Sequence, residues 1–74
     1  MIFNKKTVEW VRNQYPKGSR VELVYMNDPY APPAGTYGTV IGVDDLGTIH
    51  VDWDNLGCLG VVYGEDECVK IPSD

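Results

Sequence analysis

The chain has 74 residues, 43% of them hydrophobic and 23% charged, with a formal net charge of −5 at pH 7. That length holds one domain, burying about 60% of the surface its unfolded chain exposes, and leaves no room for a deep catalytic cleft plus a shell to hold it rigid. The negative balance argues against a strong phosphate-backbone binder, whose affinity rests on clustered Lys and Arg, and no stretch reaches the ~20 apolar residues that span a bilayer.

No apolar run of secretory length follows Met1-Ile2-Phe3, so a cytoplasmic location is expected. Cys58 and Cys68 are then expected as reduced thiols. The charge is uneven. Residues 1–20 carry Lys5, Lys6, Arg12, Lys17 and Arg20 against Glu9, a balance of +4, and residues 21–74 carry ten carboxylates against Lys70, a balance of −9. Two readings follow. The basic start packs against the acidic remainder, or it forms a patch that touches nucleic acid.

A helix is predicted over residues 5–15. Asn4 can cap it, and Val8, Val11 and Tyr15 recur at i, i+3 and i+7 on one stripe. Trp10 falls off that stripe, at the edge of the core. Tyr15-Pro16 ends the helix, because the residue before proline avoids the α region, and Lys17-Gly18 turns the chain.

From Arg20 the period becomes two. A strand over 20–26 puts Val21, Leu23 and Tyr25 on one face. Further strands are predicted over 38–43, 48–53, 58–63 and 68–71. In the third, Ile49, Val51 and Trp53 point one way and His50, Asp52 and Asp54 the other. Asp44-Asp45-Leu46-Gly47 and Asp54-Asn55-Leu56-Gly57 repeat a D-[DN]-L-G pattern at the spacing of consecutive hairpins, with glycine supplying a positive φ. Five short strands leave edges exposed unless they bend into a small barrel, and Gly42 and Gly60 sit mid-strand where such bends fall.

The run 28–40, DPYAPPAGTYGTV, joins the first two strands. Its prolines cannot enter a ladder from its middle, but they stiffen a long loop by narrowing the unfolded ensemble. The loop is either a structural plug over one end of the fold or a ligand-binding loop. Of the aromatic set Tyr25, Tyr30, Tyr37, Trp53 and Tyr63, Trp53 and Tyr25 share core faces, which leaves Tyr30 and Tyr37 as the exposed rings expected on the loop.

The pieces Y-P-x-G, M-x-D-P-x-A-P-P, G-T-x-G-T-V and V-x-W-D-N occur in order between Tyr15 and about Val69. They resemble the domain-of-unknown-function family 4314, short bacterial proteins often found near mobile elements and taken to have an SH3-like barrel. The Gly-Thr-Val strand followed by V-x-W-D is also similar to the wider SH3-like group that includes the translation-factor KOW motif. Asn55-Leu56-Gly57 stands where the family more often has Asn-Gly, which implies a hairpin one residue longer here. The resemblance implies a mainly β fold: a five-stranded SH3-like barrel over 20–71 with one N-terminal helix, residues 1–74 forming a single domain. It brings no catalytic residues.

No enzyme, cofactor or metal site is expected. His50 with Asp52 and Asp54, or with Cys58 and Cys68, lacks the paired ligand spacing that zinc sites carry. Neither cysteine has an assured base beside it. The acidic turn Gly64-Glu65-Asp66-Glu67 reads as solvated, with docking of a basic partner as its minority reading. The expected function is a binding or adaptor module, with a protein or peptide partner on Tyr30, Pro32, Pro33 and Tyr37. The alternatives are weak nucleic-acid binding through Lys5, Lys6, Arg12, Lys17 and Arg20, and homo-oligomeric assembly through an unpaired strand edge.

Overall fold

The helical stripe and the period-two runs form the elements expected of them. The structure, a computed structural model, describes residues 4–72; the Met1-Ile2-Phe3 start lies outside the described residues. One helix, α1 (Lys5–Gln14), precedes five strands: β1 (Arg20–Tyr25), β2 (Tyr37–Val43), β3 (Ile49–Trp53), β4 (Gly57–Val61) and β5 (Glu67–Lys70). The Asn4 side chain caps α1 by accepting from the Lys6 N–H at 2.8 Å. The helix stops one residue short of the expected end. Tyr15 still donates its N–H to the Val11 carbonyl at 2.9 Å, but the residue before Pro16 has left the α region, at φ −124° and ψ 66°.

All five strands lie in one antiparallel sheet in the order β4-β3-β2-β1-β5. The fold is therefore mainly β with one N-terminal helix. Its inner face carries Val21, Leu23, Val40, Ile49, Val51, Trp53, Val61 and Cys68, and Val11 of α1 joins the same cluster. Trp53 is fully buried, and its indole N–H donates to the Leu59 carbonyl at 3.2 Å. Gly38 makes room for it. A Cβ there would lie 2.5 Å from Val51 Cγ1 and 2.8 Å from Trp53 Cε3. Of the two glycines expected at bends, Gly60 is closely approached, since a Cβ there would meet the Thr48 methyl Cγ2 at 2.7 Å and force it to move, whereas nothing lies within 4 Å of one at Gly42.

Gly42 sits instead beside a bulge. The β2–β3 register passes from Val40↔Val51 to Gly42↔His50, so Ile41 is the extra residue. A second bulge lies between β1 and β5, where Leu23↔Cys68 is followed by Tyr25↔Glu67 and Val24 is extra. Each bulge moves the inward phase by one residue. This corrects the placement of Tyr25, expected in the core with Val21 and Leu23. It is 56% exposed, and Met26 is buried in its stead.

The loop between β1 and β2 is held by its own hydrogen bonds. The Asp28 side chain accepts from the Tyr30 N–H at 2.7 Å, and the Asp28 carbonyl accepts from Ala31 at 3.0 Å. The returning limb pairs with β1: the Gly35 N–H donates to the Leu23 carbonyl at 2.7 Å and the Leu23 N–H to the Thr36 carbonyl at 2.8 Å. Asp66 pins the entrance, its two oxygens each accepting at 2.9 Å, from the Asn27 and the Val62 N–H.

Gly38→Ala is expected to destabilise the fold by about 1–3 kcal/mol, because Val51 and Trp53 are both walled in. Thermal or urea unfolding checks this; a midpoint equal to wild type would show that the inner face can yield.

Candidate functional site

Two of the five cations considered for nucleic acid are held by carboxylates. Arg12, in the last turn of α1, reaches Asp45 through Nη2 at 3.2 Å and donates through Nε and Nη2 to the Val43 carbonyl at 3.3 and 3.1 Å. Arg20, first residue of β1, forms a two-pronged pair with Asp54 at 2.8 and 2.6 Å and donates to Thr39 Oγ1 at 2.9 Å. That hydrogen-bonded pair raises the Arg20 pKa and holds the Asp54 carboxyl below the usual carboxylate range. The basic start is thus joined at two points to the acidic remainder. Lys5, Lys6 and Lys17 make no ion pair among the described residues.

The four loop residues considered for a partner separate. Tyr30 stands 84% exposed. Pro32 is buried. Pro33 is exposed, and its carbonyl accepts from the Thr36 N–H at 3.1 Å and hydroxyl at 2.6 Å. Tyr37 belongs to β2 rather than to the loop.

Tyr37 pairs with Glu22 and Arg20 with Thr39, so both side chains occupy the outer face, one diagonal step apart. The half-exposed Tyr37 ring lines a surface groove with Lys17, Arg20, Lys70, Pro16 and Ile71. No carboxylate lines it. Its walls are fixed by backbone bonds. On one side Gly18 donates to the Val40 carbonyl and Val40 to the Ser19 carbonyl, both at 2.8 Å; on the other Ile71 donates to the Arg20 carbonyl at 2.9 Å. Ser19 Oγ closes the first wall on the Pro16 carbonyl at 2.6 Å. Lys70, the lone cation after Arg20 in the sequence, lines the groove from the end of β5, but its register partner is the buried Val21, so its side chain leaves the strand on the opposite face from Tyr37.

The remaining constellations are engaged in the fold. His50 Nε2 lies 2.9 Å from Asp44 Oδ2. Asp44 Oδ1 accepts from the Leu46 and Thr48 N–H at 2.9 and 3.0 Å. Burial pushes the Asp44 pKa up, but the hydrogen bonds from His50, Thr48 and Leu46 outweigh it and the net shift is downward. Cys58 is exposed on β4 and Cys68 buried on β5, neither in a disulfide. Burial pushes the Cys68 thiol up to about 11, which keeps it protonated and a poor nucleophile at neutral pH. No group of three or more His, Cys, Asp and Glu suited to a metal occurs among the described residues. In the acidic turn Asp66 is taken by the two backbone bonds already given. Sequence reasoning missed an aromatic pair: Trp10 and Tyr63, 51% and 49% exposed, stack edge-to-face with centroids 6.1 Å apart. No helix among the described residues is long and apolar enough to cross a membrane.

Asp44 and Asp54 both hold folded-state pKa values below the unfolded one. Their stabilisation is therefore complete above the unfolded value of about 3.9 and is lost as pH falls through the lower folded values. Thermal midpoints are expected to drop over that acid range, and less so in Asp44→Asn, which has already lost part of the effect. Parallel acid limbs in the two proteins would remove Asp44 from the account.

Comparison with curated proteins gives no match, and comparison with solved structures gives none either. The family model described as Domain of unknown function (DUF4314) matches residues 4–71. That match covers nearly the whole chain and takes in α1, all five strands and both walls of the groove; the chain belongs to the DUF4314 family.

Proposed function

We propose that the protein is a small, cytoplasmic, non-catalytic binding module that takes an extended peptide or protein segment along the Tyr37 groove. One observation carries this reading. The half-exposed Tyr37 lines a surface groove whose flanking stretches, at Gly18 and Ser19 and at Ile71, are held by backbone hydrogen bonds. Walls already fixed need little ordering on binding, so less of the contact energy is lost to entropy. Tyr30 and Pro33 are exposed on the loop but do not line the groove. An SH3-like barrel is the fold type we attach to it, supported by the strand order, the single inward face and the two bulges that bend the strands. Nucleic-acid binding through Lys5, Lys6, Arg12, Lys17 and Arg20 has weaker support, since Asp45 and Asp54 occupy the two arginines.

Self-association has one specific observation in its favour. Edge strand β4, Gly57-Cys58-Leu59-Gly60-Val61, carries neither charge nor proline, the devices that usually keep a free edge from pairing.

Tyr37→Ala is expected to lose the partner that wild type captures from native extract in the presence of nuclease, while the fold melts as before. Retention of every partner would sink the groove reading, and a partner lost to nuclease alone would transfer the case to the cations. For self-association, sedimentation at micromolar concentration is expected to give a dimer that Cys58→Lys disperses; a wild-type monomer rules it out.

A further inference from the structure

We infer that the corner where the end of α1 meets the β4–β5 link takes an arginine side chain from a basic protein segment, held against the Tyr63 ring and beside the Asp66 carboxylate. The site is separate from the Tyr37 groove, with which it shares no residue.

The corner is a pocket of about 330 Å³. Ile49 and Val61, paired across β3 and β4 and both buried, line it from the inner face of the sheet. Three aromatic rings meet here. Tyr15 and Tyr63 line the pocket, and Trp10 stands beside Tyr63 in the edge-to-face pair. Tyr15 is partly buried and is tied by its hydroxyl, which donates to the Cys68 carbonyl at 3.4 Å. An edge-to-face pair engages one face of one ring only. With Trp10 and Tyr63 each about half exposed, π surface is left open to solvent.

Charge fixes the kind of ligand. Asp66 and Glu67 line the pocket, and no Lys or Arg among the described residues does. Asp66 is held in place, since its two oxygens each accept a backbone N–H at 2.9 Å, from Asn27 and Val62. A carboxylate offers about four acceptor sites, so part of its capacity is left for a donor arriving from solvent. Burial raises the Tyr15 pKa most, and Cys68 and then the charge of Glu67 raise it further, so the field of Glu67 reaches into the pocket. Glu65, Asp66 and Glu67 form no ion pair among the described residues. The chain has no Lys or Arg between Arg20 and Lys70 that could neutralise them.

Ring faces and carboxylates together favour one side chain. A ring face attracts a cation through its quadrupole, and a carboxylate adds charge-assisted hydrogen bonds. A guanidinium satisfies both at once, because it is planar, stacks on rings and carries a fork of donors; an ammonium is more strongly hydrated and has no plane to stack. A neutral side chain gains nothing from the carboxylates, and an anion is repelled by them. Glu65 lies on the turn but does not line the pocket, so the negative surface runs past the pocket itself. Basic neighbours of the arginine meet it, which is why the occupant is a segment and not a lone guanidinium.

The test is an NMR titration of the nitrogen-labelled full chain with a short Gly-Ser peptide carrying spaced arginines. Matched peptides carry lysine, glutamine or glutamate at the same places. Shifts are expected at Tyr15, Tyr63, Gly64 and the Trp10 indole N–H, larger with arginine than with lysine and absent with the other two. Tyr63→Phe keeps the ring and is expected to bind as wild type. Tyr63→Ala is expected to bind about two- to fivefold more weakly, the range that one exposed cation–π contact implies. Glu65→Gln/Glu67→Gln is expected to weaken binding, and added salt to weaken it further; Tyr37→Ala is expected to leave it unchanged. All variants are first checked by thermal melting, and if Tyr63→Ala fails to fold, the wild-type shift map and the glutamine pair decide. No shifts with the arginine peptide, or equal shifts with the glutamine peptide, would overturn the inference. So would arginine binding that survives Tyr63→Ala intact or shifts residues all over the acidic surface, since that is general charge attraction. Shifts confined to the Tyr37 groove would overturn this site and leave the binding-module reading standing.

Discussion

The burial of one indole governs the inner face of the sheet. Trp53 is the largest fully buried side chain of the protein. Burying ~150–250 Å² of such a ring is worth about 4–6 kcal/mol at the usual coefficient, a large share of what a domain this small can command. The ring fits because β2 has no side chain at Gly38, directly opposite Trp53 in the register. The rest of the inner face closes around that approach with β-branched residues, and α1 lays Val11 over it. The strand pattern can therefore be strict next to Trp53 and slip elsewhere, at Val24 and Ile41, where the bulges fall.

Electrostatics works on the other side of the same sheet. Arg20 reaches from β1 over Thr39 of β2 to Asp54 beyond β3, a span of three strands fastened by one guanidinium. Exposed pairs of this kind add little stability one by one. Their effect here is placement. Arg20 and Arg12 use carboxylates of the acidic remainder for internal ties, and the lysines that lack such ties are left to solvent.

Much of the fold was legible from residue order. The capped stripe of Val8, Val11 and Tyr15 marked the helix, and alternation around Ile49, Val51 and Trp53 marked the clearest strand. The D-[DN]-L-G turns marked both hairpins, where Gly47 and Gly57 adopt φ of 82° and 83° and Asn55 a φ of 65°. The bulges were not legible. A strand with one extra residue has the same composition as one without, and its phase depends on a partner far along the chain. Tyr25 was misplaced for that reason. The site was half legible. Tyr37, Lys17 and Arg20 were visible, but under two separate functions, because nothing in their spacing shows that they meet. Lys70 and the Trp10–Tyr63 contact depend on long-range pairing that residue types alone do not encode. Pro32 shows the reverse limit: a proline in a loop looks solvent-facing until its neighbours are known.

The way the sheet closes bears on how the chain folds. Strands β2, β3 and β4 are joined by short hairpins and can pair early from local contacts, whereas β5 must return across the whole sheet sequence to pair with β1. Such non-local closure bears most of the loop entropy and comes late. The two walls of the Tyr37 groove stand on either side of that seam, one before β1 and one after β5. The groove is therefore absent from any partly folded chain in which β5 has frayed, and it forms only when the last pairing is made. A ligand seated in it would span β1 and β5, the first and last strands of the chain, and by mass action would shift the seam toward its closed state. One of the least local pairings in the protein is thus the one on which the groove depends.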